Sequence, residues 1–296
     1  MARYRAARGT EDLLPDRIPL LEHVFGSCRE VLARHGYGEI RTPMLEETRL
    51  FERSLGEVTD VVQKQMFTVT RGDTQVTFRP EGTAPVVRAY LEHNLHKTRP
   101  FQKLYYIGPM FRFERPQAGR ARQFDQVGIE VLGSSNPLVD VEVVLVAHRC
   151  FEAIGLKNYR IHINTIGDTQ DRDRFRTVLK DYFQPLLGER CADCQERFQR
   201  NVFRMLDCKV AGCHPSNQQA PKFLNHVTDE SRARFQESLD LLEQLQVPLQ
   251  VDHGIVRGFD YYTHTVFEVR SPDIGARDAV CGGGRYDHRI ADMGGP

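Results

Sequence analysis

The chain has 296 residues, enough for one large domain or two of ordinary size. Its 40 basic and 40 acidic residues cancel, so overall charge does not mark a nucleic-acid binder, although local patches could. No apolar run reaches membrane-span length, and the basic start MARYRAARGTEDLLP lacks the apolar core of a signal peptide; seven cysteines without such a signal suit a reducing, cytoplasmic setting.

Arg8-Gly9-Thr10-Glu11-Asp12 with Pro15 forms a turn-rich entry. From Ile18 to Arg34 the apolar residues Leu21, Val24, Phe25, Cys28, Val31 and Leu32 recur at helical spacing, and His35-Gly36-Tyr37-Gly38 ends the helix. Glu39 to Pro43 reads as an edge or interface strand running into a proline. Residues 49–71 carry a mixed pattern. Thr74 to Glu81 alternates, with Val76 and Phe78 expected on the core side and Thr77, Arg79 and Glu81 on the other. Thr83 with Pro85 starts a helix, so Glu81 and Thr83 stand at a strand-to-helix junction. There Glu81 either caps the helix or meets a ligand.

Lys103 to Gly108 is a short strand containing tyrosines. It leads into the central stretch Phe111 to Gly133, two extended segments joined by a basic, glycine-containing loop. In the second segment Val127, Ile129 and Val131 face one way, a core side. Phe124, Gln126, Gly128 and Glu130 face the other, a surface suited to a small polar ligand. In the first segment Phe111 and Phe113 share one face, Arg112 and Glu114 the opposite one. Arg115, Arg120 and Arg122 lie between the segments, where guanidinium forks can grip phosphate oxygens. A helix opened by Asn136-Pro137 and a strand from Tyr159 to Ile166 follow. His162 reads as an ordinary strand residue.

Residues 168–245 change in style, being helical, charged and poor in alternation, and they read as an inserted domain between a first core part (1–167) and a second (246–296). The insertion carries Cys191, Cys194, Cys208 and Cys213 in the spacing C-x2-C-x13-C-x4-C, with His214 adjacent. That spacing admits a tetrahedral structural zinc, with four reduced, packed thiols the favoured reading; no carboxylate partner points to a catalytic zinc. Strands return from Val247 to Val269, including Val256-Arg257-Gly258-Phe259-Asp260-Tyr261-Tyr262-Thr263. The chain finishes through the glycine-rich Ala279 to Asp287, which has neither a P-loop nor a dinucleotide-binding ending.

These motifs together closely resemble the class II histidyl-tRNA synthetases. The resemblance rests on Phe111-Arg112-Phe113-Glu114-Arg115, the strand Gln123 to Gly133, Arg79-Pro80-Glu81-Gly82-Thr83 and the Arg257-Gly258 to Tyr261-Tyr262 segment, with Arg8-Gly9-Thr10 and Ile40-Arg41-Thr42-Pro43 in support. It runs the length of the chain. It implies an α+β fold, with an antiparallel sheet flanked by helices and a helical insertion. It also implies a homodimer with Pro43 at its interface, and a two-step reaction in which L-histidine and ATP give histidyl-adenylate and the histidine then passes to tRNA-His. Carried over by motif, Glu81, Thr83 and Gln126 would hold the α-ammonium, Glu130 would accept from the imidazole, and Tyr261 and Tyr262 would complete the pocket. Arg112 and Arg257 would bind the α-phosphate and steady the transition state, Arg120 and Arg122 would hold the outer phosphates, and Phe124 would stack on adenine, with Mg2+ on the ATP.

Gln126 and Glu130 are four residues apart on one strand face, roughly 13 Å, which spans the two ends of an amino acid. A carboxylate aimed at an imidazole N–H rejects apolar isosteres, so no editing site is expected. The sequence departs from the family at Phe259 and Gln65, and it stops at Met293 to Pro296, before the end of the third class II signature and without an anticodon-binding domain. The resemblance therefore implies a catalytic core, whose activity in this form is open. An alternative is a non-catalytic histidine-sensing regulatory subunit of ATP phosphoribosyltransferase, which resembles the same core. The intact arginine set speaks against it.

Overall fold

A computed structural model describes residues 4–55, 65–116, 120–208, 210–255, 261–274 and 279–296. The chain divides into two compact units, Met1–Lys157 with His288–Pro296, and Asn158–Asp287. No helix among the described residues is long and apolar enough to cross a membrane.

In the first unit, α1 (Ile18–Arg34) turns its Cys28, Val31 and Leu32 inward. Strands β1 (Gly38–Glu39), β5 (Gln102–Phe111) and β6 (Gln123–Leu132) form one sheet in the order β1-β5-β6; β1 runs parallel to β5, and β5 antiparallel to β6. Val127, Ile129 and Val131 join Leu32, Tyr37, Tyr105 and Val146 in one cluster, so this face of β6 packs under α1 and α4 (Leu138–Ala153) as the alternation predicts. Burial of that face leaves Phe124, Gln126, Gly128 and Glu130 on the other.

A second sheet, in the order β2-β4-β3, joins β2 (Leu45–Glu47), β3 (Phe67–Arg71) and β4 (Thr74–Phe78), all antiparallel. Two expectations are corrected here. The stretch Glu39 to Pro43 is strand only through Glu39, with Ile40 tied to the Tyr105 carbonyl, and pairing resumes at Leu45. On β4 it is Thr77 that is fully buried, while Val76 is half-exposed. The reason is a hydroxyl trio: Thr77 Oγ1 lies 2.9 Å from both the buried Thr48 Oγ1 and the exposed Thr68 Oγ1, which satisfies the Thr77 hydroxyl out of water. Arg79 is likewise buried, and its guanidinium donates to the carbonyls of Pro109 and Thr42 and to Thr42 Oγ1, each at 3.0 Å. It clamps the start of α3 (Thr83–Glu92) against β5. The helix α2 (Thr48–Leu55) completes the set.

The second unit holds a four-stranded sheet in the order β10-β9-β7-β8, formed by β7 (Arg160–Thr165), β8 (Leu249–Val251), β9 (Thr263–Arg270) and β10 (Ala279–Arg285). Only β7–β8 pair in parallel there. The helices α5 (Thr169–Phe183), α6 (Ala192–Arg200) and α7 (Asp229–Gln244) belong to the same unit. Asp168 and Asp171 form a reciprocal cap at the start of α5. The buried Asp171 carboxylate also accepts from Thr228 N at 2.8 Å and from the Ser231 hydroxyl, joining the first turns of α5 and α7. On β7, His162 Nδ1 lies 3.3 Å from Asp252, which Arg270 also grips at 2.7 Å, so His162 is a packed strand residue.

Candidate active site

The register of β5 and β6 builds the site. Tyr106 stands opposite Gly128, and Gly108 opposite Gln126. Opposed residues share a face in an antiparallel pair, so the Tyr106 ring lies on the face predicted for the ligand. It fills the space that side chains at two glycines would need. A Cβ on Gly128 or on Gly82 would stand 2.2 Å from its ring. The bare backbone at Gly128 is thus explained by a buried tyrosine that the alternation of Lys103 to Gly108 contained and the sequence reading did not assign. Burial drives the Tyr106 phenol well above its ordinary pKa, helped by the negative charges of Glu130 and Glu81, so it stays neutral.

Glu81, Thr83 and Glu130 act on this ring, and Gln126 shares its face of the sheet. Glu81 takes hydrogen bonds from the amides of Thr83 (2.6 Å) and Ala84 (2.9 Å), so it does cap α3, and the cap fixes its carboxylate at the ring. Thr83 Oγ1 donates to Glu130 Oε1 at 2.7 Å. With its proton committed there, the Thr83 oxygen has only lone pairs left to offer. Glu130 itself is 5% exposed. Gln126 Oε1 is buried with no hydrogen-bond partner among the described residues. A buried acceptor left unpaired costs stability, of order 1–3 kcal/mol, and such a cost persists where a ligand relieves it. A carboxylate, a hydroxyl lone pair and an unpaired amide oxygen on one face suit an ammonium group.

The arginines lie toward the far end of the same hairpin. Arg112 Nε donates to the Pro80 carbonyl at 2.8 Å, and its guanidinium lies 5.3 Å from the centre of the Phe124 ring. Arg112 and Phe124 are thus brought together. Arg120 pairs with Glu114 at 2.6 Å. Arg122 lies 3.8 Å over the Phe113 ring and donates to the carbonyls of Glu114 and Arg8, while its own amide binds the Gly9 carbonyl. The Arg8-Gly9-Thr10 entry is therefore laid along the arginine end of the hairpin, with Gly9 tight against the Arg122 side chain. Phe111 and Phe113 are held by Phe78 and Phe67, with ring centres 5.0 and 5.1 Å apart.

Tyr261 and Tyr262 belong to the second unit, with ring centres 4.3 Å apart, and the Tyr262 carbonyl accepts from Arg172 at 3.0 Å. The close packing of Gly283 and Gly284 against Phe267 and Tyr262 accounts for the glycine-rich β10. Arg257 lies outside the described residues, as do Val256, Gly258, Phe259 and Asp260.

The family model described as Histidyl-tRNA synthetase matches residues 9–296. The chain belongs to the histidyl-tRNA synthetase family. A histidine–tRNA ligase of Rippkaea orientalis (strain PCC 8801 / RF-1) is 48% identical over 297 residues, covering 100% of this chain and 69% of the relative. The solved structure of apo S. aureus histidyl-tRNA synthetase is 36% identical with a TM-score of 0.79, covering 99% of this chain and 69% of that one. A Bacillus halodurans C structure described as an ATP phosphoribosyltransferase regulatory subunit/histidyl-tRNA synthetase shares the fold, at 21% identity and a TM-score of 0.70, covering 100% of this chain and 80% of that one. The synthetase fold and the antiparallel pairing of β5 with β6 agree with the resemblance read from the motifs.

Proposed function

We infer that this chain carries out the chemistry of a histidine–tRNA ligase: it activates L-histidine with ATP and passes it to tRNA-His. The observation that carries this reading, beside family membership, is the acceptor cluster of Glu81, Thr83 and Gln126 with its unpaired amide oxygen. The α-ammonium of histidine would donate to these three groups. Glu130, held by Thr83, would take the imidazole N–H, and Tyr261 and Tyr262 would line the ring.

ATP enters as its magnesium complex. A histidine carboxylate oxygen attacks the α-phosphorus, the bond to the leaving oxygen breaks, and pyrophosphate departs. The nucleophile is already ionised, so the protein supplies placement and charge rather than a proton acceptor. Arg112, anchored on the Pro80 carbonyl, would lie along the α-phosphate together with Arg257. Phe124 would carry the adenine. Arg120 and Arg122 would exchange some of their Glu114 and backbone contacts for outer phosphate oxygens. A terminal ribose hydroxyl of the tRNA then attacks the adenylate carbonyl, and AMP leaves.

Three wider expectations go with this reading. Residues 168–245 would be an insertion in the catalytic core. A second copy of the chain would cover the exposed Pro43, Met44 and Leu45. Seven free cysteines suit the reducing cytoplasm.

The test is histidine-dependent exchange of labelled pyrophosphate into ATP, with Arg112→Ala as control. Exchange that the substitution abolishes supports an adenylating site. Histidine binding by calorimetry with no exchange would overturn the ligase reading in favour of a histidine sensor.

A further inference from the structure

Four of the cysteines in the second unit lie on short helical pieces and the turns between them. Cys191 directly precedes α6, Cys194 is in its first turn, Cys208 follows the short 3-10 helix Val202–Met205, and Cys213 ends another, Ala211–Cys213. The fold nevertheless brings all four sulfurs within 4.8 Å of one another. Cys194, Cys208 and Cys213 are buried, and Cys191 is half-buried. The Cys191 and Cys208 sulfurs are 3.7 Å apart. That is too far for a disulfide. It matches the edge of a tetrahedron of sulfurs around zinc, about 3.8 Å for a Zn–S bond of about 2.3 Å.

A second observation is independent of the spacing. The Arg190 side chain is 5% exposed. It donates to the Cys213 carbonyl at 2.9 Å, to the Met205 carbonyl at 3.4 Å, to Asn217 Oδ1 at 2.6 Å and to the Ser216 hydroxyl, and it reaches Cys194 Sγ at 3.7 Å. Its guanidinium also lies 4.8 Å from the centre of the Phe183 ring. Among the described residues none of these partners is a carboxylate. A buried cation without a counter-charge is strongly disfavoured. Four neutral thiols cannot supply one, whereas four thiolates around one Zn2+ carry a net charge of −2. The backbone amide of Cys191, pointing at Cys213 Sγ from 3.5 Å, is a further donor suited to a thiolate.

We propose that Cys191, Cys194, Cys208 and Cys213 bind one zinc ion as a closed four-thiolate structural site, with Arg190 as its buried counter-cation. An all-sulfur set selects zinc over magnesium or calcium, and its four ligands leave no open position for catalysis. The ion ties the short helices and turns that carry Cys191, Cys194, Cys208 and Cys213 to the hydrophobic cluster that contains the last three. On binding, the thiols release their protons to solvent, so assembly needs no oxidant or reductant. The packed-thiol reading favoured by spacing alone leaves Arg190 unexplained.

The test uses the whole chain purified in reductant without added chelator. Zinc is counted by inductively coupled plasma mass spectrometry, and stripped protein is titrated with Co2+. Expected are about one zinc per chain and, with Co2+, the near-ultraviolet charge-transfer and red d–d bands of a tetrahedral thiolate site. Cys208→Ser should remove both signals, while Cys281→Ser should leave both in place. Arg190→Met should weaken zinc binding by roughly ten- to a hundredfold. The cobalt spectrum of the unmutated chain decides the matter if Cys208→Ser does not fold. No zinc together with no cobalt bands would overturn the proposal, as would cobalt bands that persist in a folded Cys208→Ser chain.

Discussion

Two regions of this protein keep polar side chains out of water, and they do it by different means. Around Tyr106 the groups stand on paired strands and a helix start, and they satisfy one another: Glu81 takes two amides, and Glu130 takes the Thr83 hydroxyl. One acceptor, Gln126 Oε1, is left over. At the cysteine tetrad the groups stand on short helices and the turns between them, and the surplus is a charge, the Arg190 guanidinium. Strand register can place side chains to a fraction of an ångström and leave a single vacancy for a ligand that comes and goes. Short helices and turns have no strand ladder to hold four sulfurs together, which is why an ion that stays is the natural completion.

The comparison can be broken most sharply at the strand-built site. Arg112→Ala should lower pyrophosphate exchange on the order of a hundred- to a thousandfold with little change in thermal stability, because it removes charge needed only at the displacement. A comparable loss of stability would instead make Arg112 a structural bracket to Pro80. Gly128→Ala should reduce exchange by about a hundredfold and also cost about 1–3 kcal/mol in urea unfolding, since the new methyl meets a buried ring that has nowhere to move. Normal exchange in that variant would show that the Tyr106 contact does not set the site.

Gln126→Leu sharpens the contrast further. It removes an unpaired buried acceptor, so stability should hold or rise, while the KM for histidine should rise by roughly tenfold or more. A stability loss with unchanged KM would count against an ammonium subsite. Thr77→Val should cost about 1 kcal/mol through the broken hydroxyl trio and leave exchange unchanged.

The smallest effect is one of pH. The Tyr106 phenol is neutral in the fold and has a raised pKa, so its contribution is fully present below the unfolded value, about 10, and is lost as pH rises beyond it. Unfolding midpoints measured from pH 8 upward should fall above that value, and less steeply in Tyr106→Phe.

Much of the strand-built site was legible from residues. Period-two alternation separated Val127, Ile129 and Val131 from Gln126, Gly128 and Glu130, because one face of β6 must be apolar to pack on α1 and α4. The same rule misled at Thr74 to Glu81. Alternation reports which face differs, and a buried threonine satisfied by two others looks polar in sequence. Tyr106 escaped notice because the cause lay in its partners: Gly128 sits across the sheet and Gly82 precedes another element. Spacing raised the cysteine question, but no spacing predicts that the Arg190 guanidinium bonds to no carboxylate among the described residues.

The sequence by itself determined the family, the amphipathic helix Ile18–Arg34, the two faces of β6 and the kinds of group at the site. All of these depend on local periodicity or on residue identity. Tertiary structure alone decided which acceptor stayed unpaired, which glycines made way for a ring and whether four sulfurs met. Those depend on the positions of groups far apart in the chain, and burial penalises each mismatch only once the pieces have come together.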